Sequence, residues 1–225
     1  MGNPERERWR VVESRFEMSA PEVGQAPSDS LPEIAVAGRS NVGKSSLLNA
    51  FSGRTGLARV SRTPGRTRLL NLFQIRMLGP ERTSLQFRWV DLPGYGFAAA
   101  AKDVRKGFGP MVEGYLQRRA NLRGMVLLVD VRRELRDGEF GMLHLMAARR
   151  LPTLICVTKC DKLGAAKRGT VARKLARTLD VDPRDILMTS SLSGEGLGDA
   201  PGKGGLARDL SGMLAPDEET SDVGA

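Results

Sequence analysis

The sequence predicts an α/β fold in which a mostly parallel sheet is covered by helices on both faces. From residue 34 to residue 214, apolar segments of strand length alternate with segments of helical periodicity, which is typical of such a sheet. The glycine-rich pattern G-x-x-x-x-G-K-[ST] lies at 38–45, between the first of these strands and the first helix. Further polar motifs follow later strands, at the edge where parallel sheets bind ligands. Together these observations predict the fold of a P-loop NTPase.

Length and charge limit the organisation and the partners of the chain. Its 225 residues suit one domain, which we place at 31–214, with a partly flexible arm at 1–30 and an acidic disordered tail at 215–225. Residues 9–16 of the arm alternate enough to form one extra strand. The formal net charge of +9 favours a polyanionic partner such as nucleic acid. A basic protein without such a partner is the alternative, and charge alone does not separate the two.

The cysteines and the first ten residues indicate in which cellular compartment the protein is expected. Cys156 and Cys160 lack the spacing and the further ligands of a zinc site, and the single histidine, His144, is interpreted as structural. The first ten residues are charged and lack the apolar region of a secretory signal. No segment is apolar over the length that a membrane span needs. We therefore expect a reduced, cytoplasmic protein without membrane contact, and we take it to be a monomer.

The phosphate-binding pattern is the strongest single signal. A strand at 34–37 precedes it, and a helix that ends near 52–53 follows it. Its glycines let successive backbone N–H groups point towards a phosphate at the positive end of the helix. Lys44 is predicted to contact the β- and γ-phosphates, and the Ser45 hydroxyl to bind Mg²⁺. The alternative is a glycine-rich turn with an incidental lysine.

A basic segment follows the first helix. It contains six arginines and no acidic residue between positions 54 and 76. Residues 61–67 are predicted to form a mobile loop and residues 69–77 a strand. A threonine in such a loop can bind Mg²⁺ while the γ-phosphate is present and release it after hydrolysis. Thr67 is our first choice and Thr63 the second, and a solvated basic loop is the alternative.

The next predicted strand, 85–90, leads into a D-x-x-G motif. Asp91 can hold Mg²⁺ through water, and the Gly94 N–H can approach the γ-phosphate. Tyr95 stands where small GTPases often carry a water-orienting glutamine, and a phenol cannot replace that carboxamide. We therefore expect slow hydrolysis. A second mobile segment at 96–109 precedes a helix at 110–119.

The remaining elements contain the motifs that would read a base. After a strand at 124–130 and a helix at 138–150, a strand at 154–157 delivers Thr158, Lys159, Cys160 and Asp161, similar to the motif N-K-x-D. The Asp161 carboxylate can accept hydrogen bonds from N1–H and the 2-amino group of guanine, and adenine offers neither donor. The Lys159 stem would lie over the base. Because threonine replaces asparagine at 158, an amide bridge between loops is predicted to be lost. Cys156 is interpreted as a core residue and Cys160 as a spacer.

Three more elements complete the domain. A basic amphipathic helix is predicted at 165–179 and a last strand at 186–188. Backbone N–H groups of Thr189, Ser190 and Ser191 could then meet guanine O6. A glycine-rich break at 194–205 precedes a final helix at 206–214. The ordered set of four motifs indicates a small GTPase.

These motifs also resemble one family. The sequences G-R-S-N-V-G-K-S-S at 38–46, T-P-G-R-T at 63–67, D-L-P-G-Y-G at 91–96 and T-K-C-D at 158–161 are similar to those of the bacterial EngB/YihA GTPases. The resemblance covers roughly 31–191. It implies GTP and Mg²⁺ binding, a role in assembly of the large ribosomal subunit, and a need for the protein in cell division and septation.

The resemblance also implies the site. Mg²⁺ falls on Ser45 and Thr67, and catalysis involves Lys44, Thr67 and Asn41. Related GTPases with asparagine at position 41 use it to bind K⁺, whose charge stabilises the transferring phosphate. Equal hydrolysis rates in Na⁺ and K⁺ would contradict this hypothesis. The implied nucleotide contacts are Gly38, Arg39, Ser40, Asn41, Val42, Gly43, Lys44, Ser45, Gly65, Arg66, Thr67, Arg68, Leu69, Asp91, Leu92, Pro93, Gly94, Thr158, Lys159, Cys160, Asp161, Thr189, Ser190 and Ser191.

Three functional hypotheses follow. The first is a GTP-switched assembly factor that docks on ribosomal RNA, with its arginine-rich loop linking nucleotide state to RNA contact. The second is a GTP-binding module that acts on a division protein without contact to ribosomal RNA. The third is an ATP-using P-loop enzyme, which an Asp161→Asn variant would separate from the other two.

Overall fold

The computed structural model describes residues 8–58, 69–95, 109–199 and 205–215. Within them the chain forms one sheet and a set of flanking helices. The strands are β1 (Arg10–Ala20), β2 (Glu33–Gly38), β3 (Leu70–Leu78), β4 (Ser84–Asp91), β5 (Leu122–Asp130), β6 (Thr153–Thr158) and β7 (Ile186–Met188). The helices are α1 (Lys44–Phe51), α2 (Pro110–Arg118), α3 (Asp137–Ala148), α4 (Ala165–Leu179) and α5 (Leu206–Leu214).

The sheet has the order β1-β3-β4-β2-β5-β6-β7. The strands from β4 to β7 in this order run parallel, whereas β1 and β3 add an antiparallel pair beyond β4. The predicted α/β class with a mostly parallel sheet is therefore confirmed. Because β2, β4, β5 and β6 are parallel, their last residues (Gly38, Asp91, Asp130 and Thr158) lie at one edge of the sheet. The phosphate loop, the D-x-x-G motif and the T-K-C-D motif begin at the ends of β2, β4 and β6.

Alternating side chains of the central strands face two separate cores. On β2, Ala35 and Ala37 belong to one core, while Ile34 and Val36 belong to the other. Helices α2, α3 and α4 cover the first core, and α1 and α5 cover the second. Both faces of these strands are thus shielded from water, which explains their nearly continuous apolar sequences.

The predicted strands and helices agree with the observed ones to within a few residues, and α4, β7 and α5 have the predicted bounds. The largest difference is β1, predicted at 9–16, which continues to Ala20 and pairs with β3 along its length, with two bulges. Most of the predicted mobile loops at 61–67 and 96–109 and of the tail lie outside the described residues. Where the domain ends and the arm and tail begin stays a prediction. No helix of the described residues is both long and apolar enough to cross a bilayer.

A buried cluster of charges joins the arm to the sheet and to α2. Arg88 of β4 is only 1% exposed. Its guanidinium donates to both carboxylate oxygens of Glu17 (2.7 and 3.0 Å) and to both of Asp29 (2.6 and 2.5 Å). Glu33, fully buried, accepts from Arg119 (2.6 and 2.8 Å) and from the Tyr115 hydroxyl (2.8 Å). The arginine hydrogen bond lowers the pKa of Asp29 to about 2.

We predict that Arg88→Met destabilises the protein by about 3 kcal/mol, because it removes a buried cation whose hydrogen bonds join Glu17 and Asp29 to the sheet beside fully buried Glu33. Arg76→Met is the matched control, since Arg76 forms an exposed ion pair with Glu13 (3.1 Å) on the neighbouring strand. That variant should lose less than about 1 kcal/mol. Urea unfolding of both variants measures the difference, and equal losses would show that the buried cluster adds nothing beyond a surface pair.

Candidate nucleotide-binding site

The loop between β2 and α1 has the backbone shape of a phosphate-binding loop. Asn41 (φ 63°) and Gly43 (φ 118°) both lie in the left-handed region, and glycine suits the second position because it carries no Cβ. Gly38 allows the loop to close tightly: a Cβ there would lie 2.7 Å from Val42 Cγ1. Helix α1 begins at Lys44 directly after Gly43, so its free N–H groups face the loop. The predicted phosphate-binding segment thus has the required local structure.

Asp91 and Lys44 face each other beside this loop. Asp91 ends β4 next to Val36 of β2, and its Oδ1 lies 3.8 Å from Lys44 Nζ. That oxygen is buried without a hydrogen-bond partner. Burial raises the pKa of Asp91 to about 6, although the charge of Lys44 acts in the opposite direction. A buried carboxylate oxygen that lacks a donor, next to a lysine ammonium, is suited to a site that receives further charged groups.

The D-x-x-G segment passes close to the phosphate loop. A Cβ on Gly94 would lie 3.0 Å from Ser40 Oγ, and Ser40 N donates to the Tyr95 carbonyl at 3.1 Å. The Tyr95 side chain is 8% exposed and its hydroxyl donates to Glu139 Oε1 at 3.0 Å. Burial and the Glu139 carboxylate raise the pKa of Tyr95. Its phenol is therefore held in the protein interior.

The base-reading motif lies after β6, beside the loop that follows β7. Asp161 is in a 3-10 turn, Cys160–Lys162, and its Oδ1 accepts a hydrogen bond from Ser190 Oγ at 2.7 Å. That bond lowers the pKa of Asp161, which keeps an acceptor-only carboxylate in place. The structure thus brings together the predicted base-reading aspartate and one of the three residues predicted to approach O6.

Thr158 corrects one sequence expectation. Its hydroxyl donates to the Val42 carbonyl at 2.8 Å, and the residue is buried. The amide bridge expected to be lost with asparagine is therefore replaced by a bridge from the threonine hydroxyl. A threonine hydroxyl can donate a single hydrogen bond, and the close approach of β6 to the phosphate loop brings a backbone acceptor within its reach. Lys159 adds a second bridge, from its Nζ to the Asn41 carbonyl at 2.8 Å.

Both cysteines are buried, which confirms the core position predicted for Cys156. Cys156 Sγ lies 3.2 Å from Thr189 Oγ1, and the Cys160 N–H donates to the Thr189 carbonyl at 3.1 Å. These contacts connect β6 and the T-K-C-D segment to Thr189, which follows β7. Burial raises the pKa of Cys160 to about 11, so its thiol stays protonated at neutral pH.

Some residues at the site carry no signal in the sequence motifs. Glu195 accepts from Arg168 at 2.7 Å through both carboxylate oxygens, and its carbonyl accepts from Ser190 N at 3.0 Å. Asp130 binds the Lys159 ammonium, and Glu139 binds Tyr95. An acidic residue at the end of a predicted strand could have drawn attention to Asp130. Sequence offered no such sign for Glu195, whose partner is 27 residues away.

The predicted contacts in the basic loop are not placed by the structure. Gly65, Arg66, Thr67 and Arg68 lie outside the described residues, and Leu69 lies directly before β3. The magnesium and catalytic roles of Thr67 therefore stay predictions.

The fold and this site define a P-loop GTPase. A family model described as "50S ribosome-binding GTPase" matches residues 33–159, more than half of the chain. The Era GTPase of Aquifex aeolicus, in a structure bound to GDP·AlF4⁻, superimposes with a TM-score of 0.57 at 24% identity over 74% of this chain and 53% of Era. The chain thus spans about half of Era, and this likeness supports the fold alone.

Curated sequences identify the family. A probable GTP-binding protein EngB of Geotalea daltonii is 45% identical over 181 residues, which cover 80% of this chain and 84% of that protein. A crystal structure of a probable GTP-binding protein EngB has a TM-score of 0.53 at 24% identity and is covered over 96% of its length. The chain belongs to the EngB family of GTP-binding proteins, as the sequence motifs indicate.

The raised pKa of Asp91 predicts how the nucleotide-free protein responds to pH. A carboxyl group whose pKa is about 6 when folded, against 3.8 as the ordinary value, stabilises the fold in its protonated form. This contribution is fully present below pH 3.8 and is lost as pH rises from there to about 6. The free energy of unfolding of the wild type minus that of Asp91→Asn should therefore fall by about 2 kcal/mol between pH 4 and pH 7.

Urea unfolding without nucleotide and Mg²⁺ measures this difference. Subtracting the value for the Asn variant cancels the contributions of all other titrating groups. A difference that is constant with pH, or that grows, would show that the Asp91 carboxylate is not held in an unfavourable site.

Proposed function

We propose that this protein binds GTP and GDP with Mg²⁺ and hydrolyses GTP slowly. The observation that carries the proposal is the joining of two loops at one sheet edge: the phosphate loop is tied to the base-reading loop by Thr158 and Lys159. In this arrangement Asp161 recognises the guanine edge while the amides ahead of α1 receive the phosphates. Ser190 holds the Asp161 carboxylate in its ionised form, and adenine offers no donor pair to that carboxylate.

The residues at the phosphate end fit a magnesium ion. Ser45 on the first turn of α1 and Asp91, whose buried Oδ1 lacks a hydrogen-bond partner, supply the oxygen atoms that Mg²⁺ prefers, the second of them through water. Thr67 would add a third oxygen in the GTP state. The ion, when bound, would offset the negative charge that develops during phosphoryl transfer.

A slow rate is supported by the side chain that follows D-x-x-G. The Tyr95 hydroxyl donates to buried Glu139, so it is engaged inside the protein and is not available to position water. Lys44, and K⁺ held at Asn41, would then supply the positive charge that stabilises the transition state.

Asp161→Asn tests guanine recognition. The substitution replaces an acceptor with an amide donor, so affinity should shift from GDP towards the xanthine nucleotide by at least about tenfold. Titration calorimetry with GDP, XDP and ADP measures the shift, and Asp185→Asn, a change of the same kind in an exposed turn, is the control. Unchanged GDP affinity, or tight ADP binding by the wild type, would contradict guanine specificity and restore the ATP-using alternative.

We further propose that the GTP-bound protein docks on RNA of the large ribosomal subunit in the cytoplasm and serves its assembly, with cell division and septation depending on it. The net charge of +9, the arginine-rich segment at 54–76 and the description of the matching family model support this role. The division-protein hypothesis lacks such a feature, because a polyanion explains the basic surface more directly.

Helix α4 supplies a described basic surface. Its sequence contains five Lys or Arg residues and no acidic one. Lys167, Arg173 and Arg177 are exposed on the side opposite buried Leu175 and Ala176, and no carboxylate of the described residues forms an ion pair with these three. Three cations that are not neutralised within this part of the chain are suited to bind phosphate groups.

Co-sedimentation with large subunits tests the docking proposal. Binding should require GTP and weaken steeply with salt, and Arg173→Gln with Arg177→Gln should reduce affinity and lower the magnitude of the salt slope by about two. Arg10→Gln with Arg15→Gln removes the same charge from β1, the opposite edge of the sheet, and should act weakly. Absence of subunit binding in GTP would favour the division-protein hypothesis, and equal effects of both pairs would exclude α4 as the contact.

A further inference from the structure

Asp130 is a buried acid beside the base-reading loop that the motifs leave without a role. It ends β5 and lies next to Thr158 of β6 in the sheet register. Its Oδ1 accepts from the backbone N (3.0 Å) and Nε (2.9 Å) of Arg132, and its Oδ2 accepts from Arg132 Nη2 (2.7 Å) and Lys159 Nζ (2.8 Å). Burial acts to raise the pKa of Asp130, but the hydrogen bonds from Arg132 and Lys159 outweigh it and lower the pKa.

Lys159 is held at both ends by these contacts. Its backbone lies in the left-handed region at φ 62°, and its ammonium is bound by the Asn41 carbonyl and the Asp130 carboxylate, both at 2.8 Å. A lysine that is free in solution loses side-chain conformational entropy when it is ordered. Here that ordering precedes ligand binding, and the ordered lysine stands two residues before Asp161 in the chain.

We propose that Asp130 is a positioning residue for guanine nucleotide binding, which holds Lys159 so that its stem is ready to lie against the purine ring. The inference rests on the proposed binding of GTP and GDP at this site. Without the carboxylate, the ammonium would keep only a neutral carbonyl partner near the Arg132 guanidinium. The like charges would then favour a lysine directed to solvent, and each binding event would have to order it again.

A purely local role is the competing explanation, and the chain contains an example of it. Asp182 binds Arg184 through the same three donors: the backbone N at 2.8 Å, Nε at 3.0 Å and Nη2 at 2.8 Å. That pair closes a turn before β7, and its contacts include no lysine. An aspartate followed two residues later by arginine can thus stabilise a turn by itself. Asp130 differs from Asp182 in being buried and in accepting a fourth hydrogen bond, from Lys159.

The experiment compares GDP affinities of the full chain by titration calorimetry. Asp130→Asn should weaken GDP binding by about tenfold, which corresponds to the ordering of one lysine side chain. In a Lys159→Ala background the same substitution should change the affinity by less than about twofold, because the residue that Asp130 positions is absent. Asp182→Asn, the matched control, should leave the affinity as in the wild type.

Unchanged affinity of Asp130→Asn, or an equal loss in the Lys159→Ala background, would overturn the inference while leaving GDP binding by the wild type intact. A wild type that does not bind GDP would refute the proposed function itself. If the Asp130→Asn variant does not fold, ¹⁵N NMR of the nucleotide-free wild type tests instead whether the Lys159 ammonium is held in place. A Lys159 ammonium signal protected from hydrogen exchange, and missing in Lys159→Arg, supports the positioning role, and its absence in the wild type overturns it.

Discussion

The site depends on the two bridges between the phosphate loop and the base-reading loop. Thr158 Oγ1 binds the Val42 carbonyl and Lys159 Nζ binds the Asn41 carbonyl, each at 2.8 Å. The two carbonyls belong to the phosphate loop, whose N–H groups are expected to face the phosphates. The bridges therefore give hydrogen-bond partners to carbonyl groups on the other side of the same backbone. Because the bridges join the loops directly, the protein itself sets the spacing between these two loops.

Two of the places where charged groups are buried have different consequences. Around Arg88, near the beginning of β2, arginines and carboxylates satisfy one another, and the cluster fixes the arm and the end of α2 to the sheet. At the opposite ends of the parallel strands, Asp91 keeps a buried oxygen without a donor and Lys44 lies at ion-pair distance only. The first arrangement is complete in itself, whereas the second is suited to receive phosphate and metal. Buried charge stabilises the fold at one end and serves binding at the other.

Tyr95 links the site to the helix layer. Its backbone carbonyl accepts from Ser40 of the phosphate loop, and its hydroxyl donates to Glu139, whose other oxygen accepts from the Arg136 N–H at the start of α3. The point where the D-x-x-G segment leaves the sheet is therefore connected to both the phosphate loop and α3. A position that often carries a water-orienting side chain in small GTPases here contributes to packing.

The sequence by itself determined the α/β class, nearly all element positions, the phosphate loop and the base-reading motif, because these follow from local periodicity, glycine placement and contiguous motifs. Only the tertiary structure decided which distant groups meet. The Thr158 bridge to Val42, the binding of Lys159 by Asp130 and the pairing of Glu195 with Arg168 all join residues far apart in the chain. Spacing along a sequence does not reveal such contacts, since they depend on which strand lies beside which and how loops turn at the sheet edge. Thr158 shows this most clearly: its residue type indicated a lost bridge, and its place beside the phosphate loop provides one.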